Sequence, residues 1–408
     1  MQGYPSGDSD GMVKPSLLTD IDELKACRGE WDVLLSTSAA NMPMLSPLWL
    51  LAWWRTFGST EGRQLRTWTF RVSGRLVGLV PLLLRRHRHF GLLPIRRLEL
   101  LGSGEREQDE IMSEYLAPII AKGYEQAVAD ALVGELALDQ YGWQEIVLSA
   151  LDGNAPAVTA LELAFCRQGW PCQIETQDHC PFIKLPSRWE EYLSALHRSY
   201  RYLVKRSLSD FLAWAGDAWR MERVSTQAEL GRGREILLQL HQQRWAKDDK
   251  PSVFSSPLFL GFHDQVLPQL LSQNALDLCW LSVRDRPVAV NYNIVWRNRI
   301  YVYQSGRTVD VPRGVRPGIV LHLESIKRAI NEGREEYDFL GGPALYKMQL
   351  TSTSRPLVRC HVLRPSLVGL GYKLLQSGST FLHEVRRRQV AAAAAGGKTS
   401  VADKVDSE

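Results

Sequence analysis

Arg313-Gly314-Val315-Arg316-Pro317-Gly318 is the run with the clearest chemical use in this 408-residue chain. Its glycines let a backbone approach a ligand closely, and its arginines bring positive charge. Pro317 suits the first turn of a helix, where its missing N–H would be unpaired anyway. An apolar-periodic stretch follows at once, with Ile319, Leu323, Ile326 and Ile330 on one face and Gly333 at its end. A helix N-terminus with unpaired N–H groups therefore lies beside a basic turn, a place that suits an anion such as a pyrophosphate. An ordinary Pro/Gly turn with surface arginines is the plainer alternative.

Past that helix, Asp338 alternates with Tyr337 and Phe339 in a short apolar strand over Glu335–Leu340. An acid in such a strand needs a partner or a raised pKa. It is either a general base or a structural acid held by an arginine or a backbone N–H. Tyr346 and Lys347 follow Gly341-Gly342-Pro343. Lys347 is either a phosphate or carboxylate contact or a surface charge. Asn291, Asn293, Tyr303 and Gln304 lie on neighbouring strands and are candidates for lining an acceptor pocket. His241, Arg244 and Trp245 are a second candidate lining. A backbone N–H on the strand of Tyr301 and Tyr303 would stabilise a developing oxyanion. Arg198, Arg201, Lys205 and Arg206 gather on one side of an amphipathic helix. They read as a solvated face, as a site for an anionic acceptor or nucleotide, or as a tRNA or membrane-surface contact.

The elements that position these groups follow from hydrophobic period and breakers. Helices are expected from Thr19 or Asp20 to Ser36, over the tryptophan-rich Leu48–Gly58, and at Tyr124–Asp139, Pro156–Arg167, Leu230–Ala246, Leu258–Leu271 and Ile319–Asn331. Trp189–Phe211 reads as one long helix. Strands are expected at Leu65–Val72, Leu76–Leu84, Ile95–Gly102, Tyr115–Ile120, Gln144–Leu148, Leu276–Arg284, Val288–Trp296 and Ile300–Gln304, with a basic loop at Arg85–Gly91. Trp49, Trp53 and Trp54 read as core. A short internal repeat pairs VSGRLVGL at Val72–Leu79 with VRDRPVAV at Val283–Val290, and a strand, helix, strand order follows both.

The composition, 45% hydrophobic and 23% charged, is that of a globular chain, and a net charge of +4 argues against a general nucleic-acid binder. No run reaches the ~20 apolar residues needed to span a bilayer. The six cysteines form no CxxC pair and read as reduced structural thiols, which places the protein in the cytoplasm. Length suits two or three domains, and the order of elements divides the chain into residues 17–180 and 181–365, between a disordered 1–16 and a C-terminal helix and disordered tail at 366–408.

These residues are familiar in their order. WLLAWWRTFG (Trp49–Gly58) and GRLVGLVPL (Gly74–Leu82) in the first half, with LHRSYRYLVKRS (Leu196–Ser207), RPGIVLHLESIKRAINEG (Arg316–Gly333) and YDFLGG…YK (Tyr337–Lys347) in the second, resemble the GNAT superfamily of acyl-CoA N-acyltransferases. The chain is similar in particular to the CelD-like branch, associated with cellulose and exopolysaccharide biosynthesis, and through it to the FemAB transferases. The resemblance runs from about Pro47 to Arg364. It implies an α/β fold of two tandem GNAT-like domains, each a mixed central sheet flanked by helices, with the first noncatalytic. It implies transfer of an acyl group from acetyl-CoA or another acyl-CoA to a small-molecule or sugar amine, with no permanently bound cofactor, no metal and no DNA partner. Arg313, Gly314, Arg316, Gly318 and Lys347 would hold the donor. Asn291, Asn293, Tyr303, Gln304, Arg198 and Arg201 would hold the acceptor. Asp338 would take the amine proton, and Tyr346 would protonate the leaving thiolate. The family's pyrophosphate loop reads Gln/Arg-x-x-Gly-x-Gly/Ala, and here Arg316 replaces the middle glycine. FemAB proteins have degenerate loops at this point and use aminoacyl-tRNA, so a tRNA-borne donor is the alternative. A noncatalytic module in a polysaccharide-synthesis complex is another.

Overall fold

The structure, a computed structural model, describes residues 12–89, 93–138, 142–247, 249–342 and 344–365. The first half contains β1 (Lys14–Leu18), α1 (Ile21–Ala26), α2 (Arg28–Thr37), α3 (Pro47–Phe57), β2 (Gln64–Leu65), β3 (Thr67–Val72), β4 (Arg75–Val80), β5 (Leu82–His89), β6 (Leu93–Leu100), β7 (Ile119–Ile120), α4 (Glu125–Ala137), β8 (Glu145–Asp152) and α5 (Pro156–Arg167). β9 (Cys172–Lys184) leads into the second half. That half holds α6 (Trp189–Ala195), α7 (Arg198–Ala215), β10 (Trp219–Arg223), α8 (Gln227–Ala246), α9 (Pro257–Ser272), β11 (Leu276–Val283), β12 (Arg286–Trp296), β13 (Arg299–Arg307), α10 (Pro317–Asn331), β14 (Glu336–Asp338), α11 (Leu345–Leu350) and β15 (Ser354–Leu363).

Eleven strands form one sheet through both halves, in the order β10-β11-β12-β13-β14-β9-β15-β8-β6-β5-β2. A second sheet, β1-β3-β4-β7, stands beside it. The halves exchange strands at their junction. β9 leaves the first half and pairs its end with β14, Asp338 opposite Phe182. β15 returns to lie between β9 and β8. The expected divide at 180/181 therefore falls inside β9. The thiols of Cys172 and Cys360 meet across β9 and β15 at 3.0 Å.

The internal repeat maps onto one feature. Ser73 and Gly74 join β3 to β4, and Arg284 and Asp285 join β11 to β12, all four with positive φ. A two-residue hairpin loop with both residues at positive φ is the turn whose twist matches the flanking strands. The repeat thus marks the same hairpin in each half.

The structure differs from the sequence expectations at several elements. Residues 14–16 belong to β1, which pairs antiparallel with β3. The basic segment Arg85–His89 is strand, paired along β6; its polar residues alternate on both faces, which hides a strand from a hydrophobic pattern. Trp189–Phe211 breaks at Leu196 and His197, whose ψ values of 145° and 146° are extended, and the His197 ring accepts from the Ser199 N–H to start α7. Of the strand expected at Tyr115–Ile120, only β7 and a bridge from Leu116 to Leu151 remain, because Met112 and Tyr115 have positive φ. Residues 1–11 and the expected tail at 366–408 lie outside the described residues. Among the described residues no helix is long and apolar enough to cross a membrane, and no cluster of three metal-ligating side chains occurs.

A continuous core joins the halves. Trp49 and Trp53 are fully buried, and Trp49 packs edge-on against Phe262 and Tyr303 of the second half. The Tyr303 hydroxyl donates to the Ile111 carbonyl, Ser256 Oγ donates to Asp109 at 2.6 Å, and Trp296 Nε1 donates to Asn41 at 2.9 Å. Aromatic burial supplies area and the polar tips fix orientation.

Candidate functional site

β13 and β14 run parallel for three residue pairs, ending at Tyr301 opposite Asp338. Beyond that pair β13 continues to Arg307, while the chain after Asp338 turns away through Leu340 at φ 55°. The strands splay, and a cleft opens between them. One compartment, of about 390 Å³, reaches the N-terminus of α10 and is lined by Asn291, Arg307, Arg316, Gly318 and His322. The other, of about 350 Å³, is lined by Glu114, Trp245, Tyr303, Gln304, Gly341 and Lys347. Arg244, Ser305 and Tyr346 border both.

Close packing of α8 sets Arg244 in place. A Cβ on Gly306 would collide with the backbone of Leu240 and His241, so glycine lets α8 press on β13 there. His241 is buried, takes the Trp245 indole N–H on Nε2 at 3.0 Å, and donates from Nδ1 to Ser252 at 2.8 Å. Burial lowers its pKa to about 4, so the neutral ring holds Trp245 and does not itself face the cleft. Arg244 stacks over Trp245 and donates to the Ser305 hydroxyl at 3.2 Å.

In the first compartment no side chain caps α10, and Pro317 occupies its first turn. The unpaired end of this helix and the exposed Arg316 favour an anion. Deeper in, His322 is 3% exposed, and its Nδ1 meets Tyr337 Oη at 3.1 Å and Asn291 Nδ2 at 3.3 Å. Burial pushes the His322 pKa down to about 3. Both neighbours donate to Nδ1, which leaves the proton on Nε2. The neutral ring stacks on Tyr346, centroids 5.0 Å apart. Burial raises the Tyr346 pKa, opposed by the Arg244 charge, so the phenol is protonated at neutral pH.

The second compartment holds a carboxylate from the other half of the chain. Glu114 accepts from the Gly341 N–H at 2.6 Å and from Cys180 Sγ at 3.5 Å. Burial raises its pKa to about 7, against the Gly341 hydrogen bond and the Lys347 charge. Asp178 of β9 takes the Gly342 N–H at 2.6 Å. The Lys347 ammonium donates to the Leu340 carbonyl at 3.1 Å and to that of Gly341, and burial lowers its pKa. A shift in the β12–β13 register leaves Tyr303 without a partner residue on β12, at the point where the strands part.

The structure brings Arg316, Gly318, Asn291 and Tyr346 to the first compartment, and Tyr303, Gln304, Tyr346 and Lys347 to the second. Lys347 thus stands on the Glu114 side and not at the basic turn. Arg313 and Gly314 lie on the same turn but outside the lining, Arg313 exposed and Gly314 at φ 97°. Asn293 is fully buried away from both compartments, bound to Asp277 at 2.9 Å. Arg201 donates to the carbonyls of Ser194 and Leu196 and so closes the end of α6, while Arg198 is exposed outside the cleft. Asp338 is 0% exposed and outside both linings. Its oxygens accept from the Leu340 N–H at 2.7 Å, Tyr115 Oη at 2.8 Å and Arg355 at 3.0 Å. Burial raises its pKa to about 7 against those hydrogen bonds. That proton affinity suits a base, yet the side chain has no path to a ligand.

Glu114, Ser305 and His322 were not among the residues picked out by sequence. Glu114 sits in an irregular segment and meets Gly341 across 227 positions, which leaves no local pattern to detect. His322 had a signal: a polar residue on the apolar face of α10.

Two comparisons bear on the class of protein. Residues 198–348 match the family model described as an acetyltransferase (GNAT) domain. The crystal structure of FemX aligns over 88% of this chain and 99% of its own, with a TM-score of 0.58 and 11% identity. A conserved protein of unknown function from Bacteroides thetaiotaomicron VPI-5482 aligns over 83% of this chain and 97% of its own, with a TM-score of 0.50 and 12% identity. No curated protein sequence matches the chain. The fold is therefore a mixed α/β one, shared over both halves with FemX. Residues 198–348 match a GNAT acetyltransferase domain within that fold.

Proposed function

We propose that the protein is an N-acyltransferase that takes an acyl group from an acyl-CoA and gives it to a primary amine, on a sugar or a cell-envelope precursor. The observation that carries this reading is the pair of compartments that meet at Arg244, Ser305 and Tyr346 between splayed strands. The open end of α10 with Arg316 suits the donor's pyrophosphate, and the thioester then lies beside Tyr346. The amine enters the second compartment, where Glu114, poised near neutral pH, removes its proton. A backbone N–H of β13 at the Tyr303 irregularity supports the oxyanion, with the nearby Lys347 charge. Tyr346 protonates the departing thiolate. In this reading the base is Glu114 and Asp338 is a structural acid.

A second reading takes the acyl group from an aminoacyl ester on tRNA. Arg316 in place of a cradle glycine and the exposed basic residues of α7 favour it. A thermal-shift titration with acetyl-CoA, free CoA and aminoacyl-tRNA tests the choice. Protection by CoA and acetyl-CoA that weakens in Arg316→Ala is expected. Protection by charged tRNA alone would sink the CoA-dependent reading.

A further inference from the structure

The strands β9, β15, β8, β6 and β5 carry two different faces, with a register shift in β15. Leu98, Ile146, Leu148, Val358, Cys360 and Val362 point into the core, on the side where α5 packs. The opposite face carries Arg85, Arg97, Glu99, Glu145, Arg359 and His361 and encloses a polar cavity of about 380 Å³, within the size range of small-molecule sites. Its floor is a rigid ion network. Arg85 grips Glu99 with two bonds, at 2.5 and 2.8 Å. Arg97 holds Glu145 at 2.5 Å, and the Nε2 atoms of His89 and His361 both donate to the other Glu145 oxygen, at 3.1 and 2.7 Å. Gly104, at φ 81°, closes one wall; a Cβ there would strike the Glu99 carboxylate.

The charges lining this cavity balance, three arginines (Arg85, Arg97, Arg359) against three glutamates (Glu99, Glu145, Glu175). A balanced lining gives no net pull on an anion or a cation, and so polar a surface does not favour an apolar guest. What remains is unused hydrogen-bonding capacity of both kinds. Among the described residues Glu99 Oε2 and Glu145 Oε2 each accept one N–H, leaving one lone pair apiece. At the rim, Arg359 and Glu175 are paired across β15 and β9 but form no ion pair, and Gln173 and Ser149 carry free amide and hydroxyl groups, among the described residues. Donors and acceptors interleaved on fixed side chains match hydroxyl groups, each of which donates and accepts.

We propose that this cavity in the first half binds an uncharged polyhydroxylated ligand with the chemistry of a saccharide. The site is separate from the splayed cleft, so it stands or falls independently of the acyl-transfer reading. The ring ¹H–¹⁵N signals of His89 and His361 in the full chain report on the cavity directly. Titration with cellobiose, maltose and glucose is expected to shift both signals saturably for at least one sugar, at affinities of roughly 1 mM. Arg359→Ala and Gln173→Ala, both at exposed positions that leave the floor network intact, are expected to weaken that binding tenfold. A response to inorganic phosphate with none to the sugars would make the cavity an anion site and overturn the proposal. The absence of any saturable shift would reduce it to a structural ion network and overturn it equally.

Discussion

Among the described residues the strand pairs β13–β14 and β6–β8 run parallel in this sheet, one in each half with an arginine opposite a glutamate: Arg299 with Glu336, and Arg97 with Glu145. The same local pattern has two fates. In the second half the face of Glu336 and Asp338 is roofed by Tyr115 and Arg355, and the cleft opens beyond it. In the first half no described residue roofs the face, and the acid answers to Arg97, His89 and His361 beneath an open cavity. The two best-placed acids differ accordingly. Glu114 has lost solvent, and burial outweighs the Gly341 hydrogen bond and the Lys347 charge and lifts its pKa to about 7. Glu145 is as deeply placed, but hydrogen bonds from His361 and the charge of Arg97 overcome burial and hold its pKa near 2. A buried carboxylate becomes a base or a strut according to the cations set beside it.

Glu114→Gln tests that contrast most severely. Turnover should fall about 10²–10⁴-fold, the usual worth of a positioned base. In the native protein kcat/KM should decline as pH drops below about 7, since the base must be ionised, and this acid limb should vanish in the variant. A pH profile left unchanged by the substitution would remove Glu114 from the mechanism. Glu145→Gln should instead cost stability, on the order of 3 kcal/mol at pH 7, from the depression of its pKa. A lowered folded-state pKa stabilises above the unfolded value and is lost as pH falls through the folded one. The gap between variant and native protein in urea unfolding should thus narrow between about pH 4.5 and pH 2. A gap that persists at pH 2 would mean the network is held by something other than the Glu145 charge.

Tyr346→Phe keeps the stack on His322 and removes only the hydroxyl. An approximately 10²-fold loss in kcat, with KM for the acyl donor unchanged, is expected of a lost general acid. A rise in KM alone would mark the residue as a binding wall. Arg316→Ala should have the smallest effect, about a tenfold rise in donor KM from one charge-assisted hydrogen bond. An unchanged KM would put the donor elsewhere than the α10 end.

Much of the scaffold was legible along the chain. The period of Ile319, Leu323, Ile326 and Ile330, with Pro317 before and Gly333 after, marked α10 in the sequence, and the repeated V-x-Gly/Asp-Arg marked the twin hairpins. Tyr346 and Arg316 were legible as candidates by their place after particular elements. Strands β9 and β15 were not, because their partners are set by an exchange between halves and their outer faces are polar. Nor was the fate of Asp338, an acid in an apolar strand that reads the same whether it meets a ligand or Arg355.

Local sequence alone determined the helix with an open N-terminus, its basic turn, and the strands that flank it, since period, caps and breakers act within a few residues of one another. Tertiary structure decided which carboxylate reaches the cleft, which arginine stays unpaired and which sheet face stays open. Those outcomes depend on contacts such as Glu114 with Gly341 and Tyr115 with Asp338, more than 220 positions apart. Pairings at that range are set by how the two halves pack, and burial and neighbouring charge then decide what each acid can do.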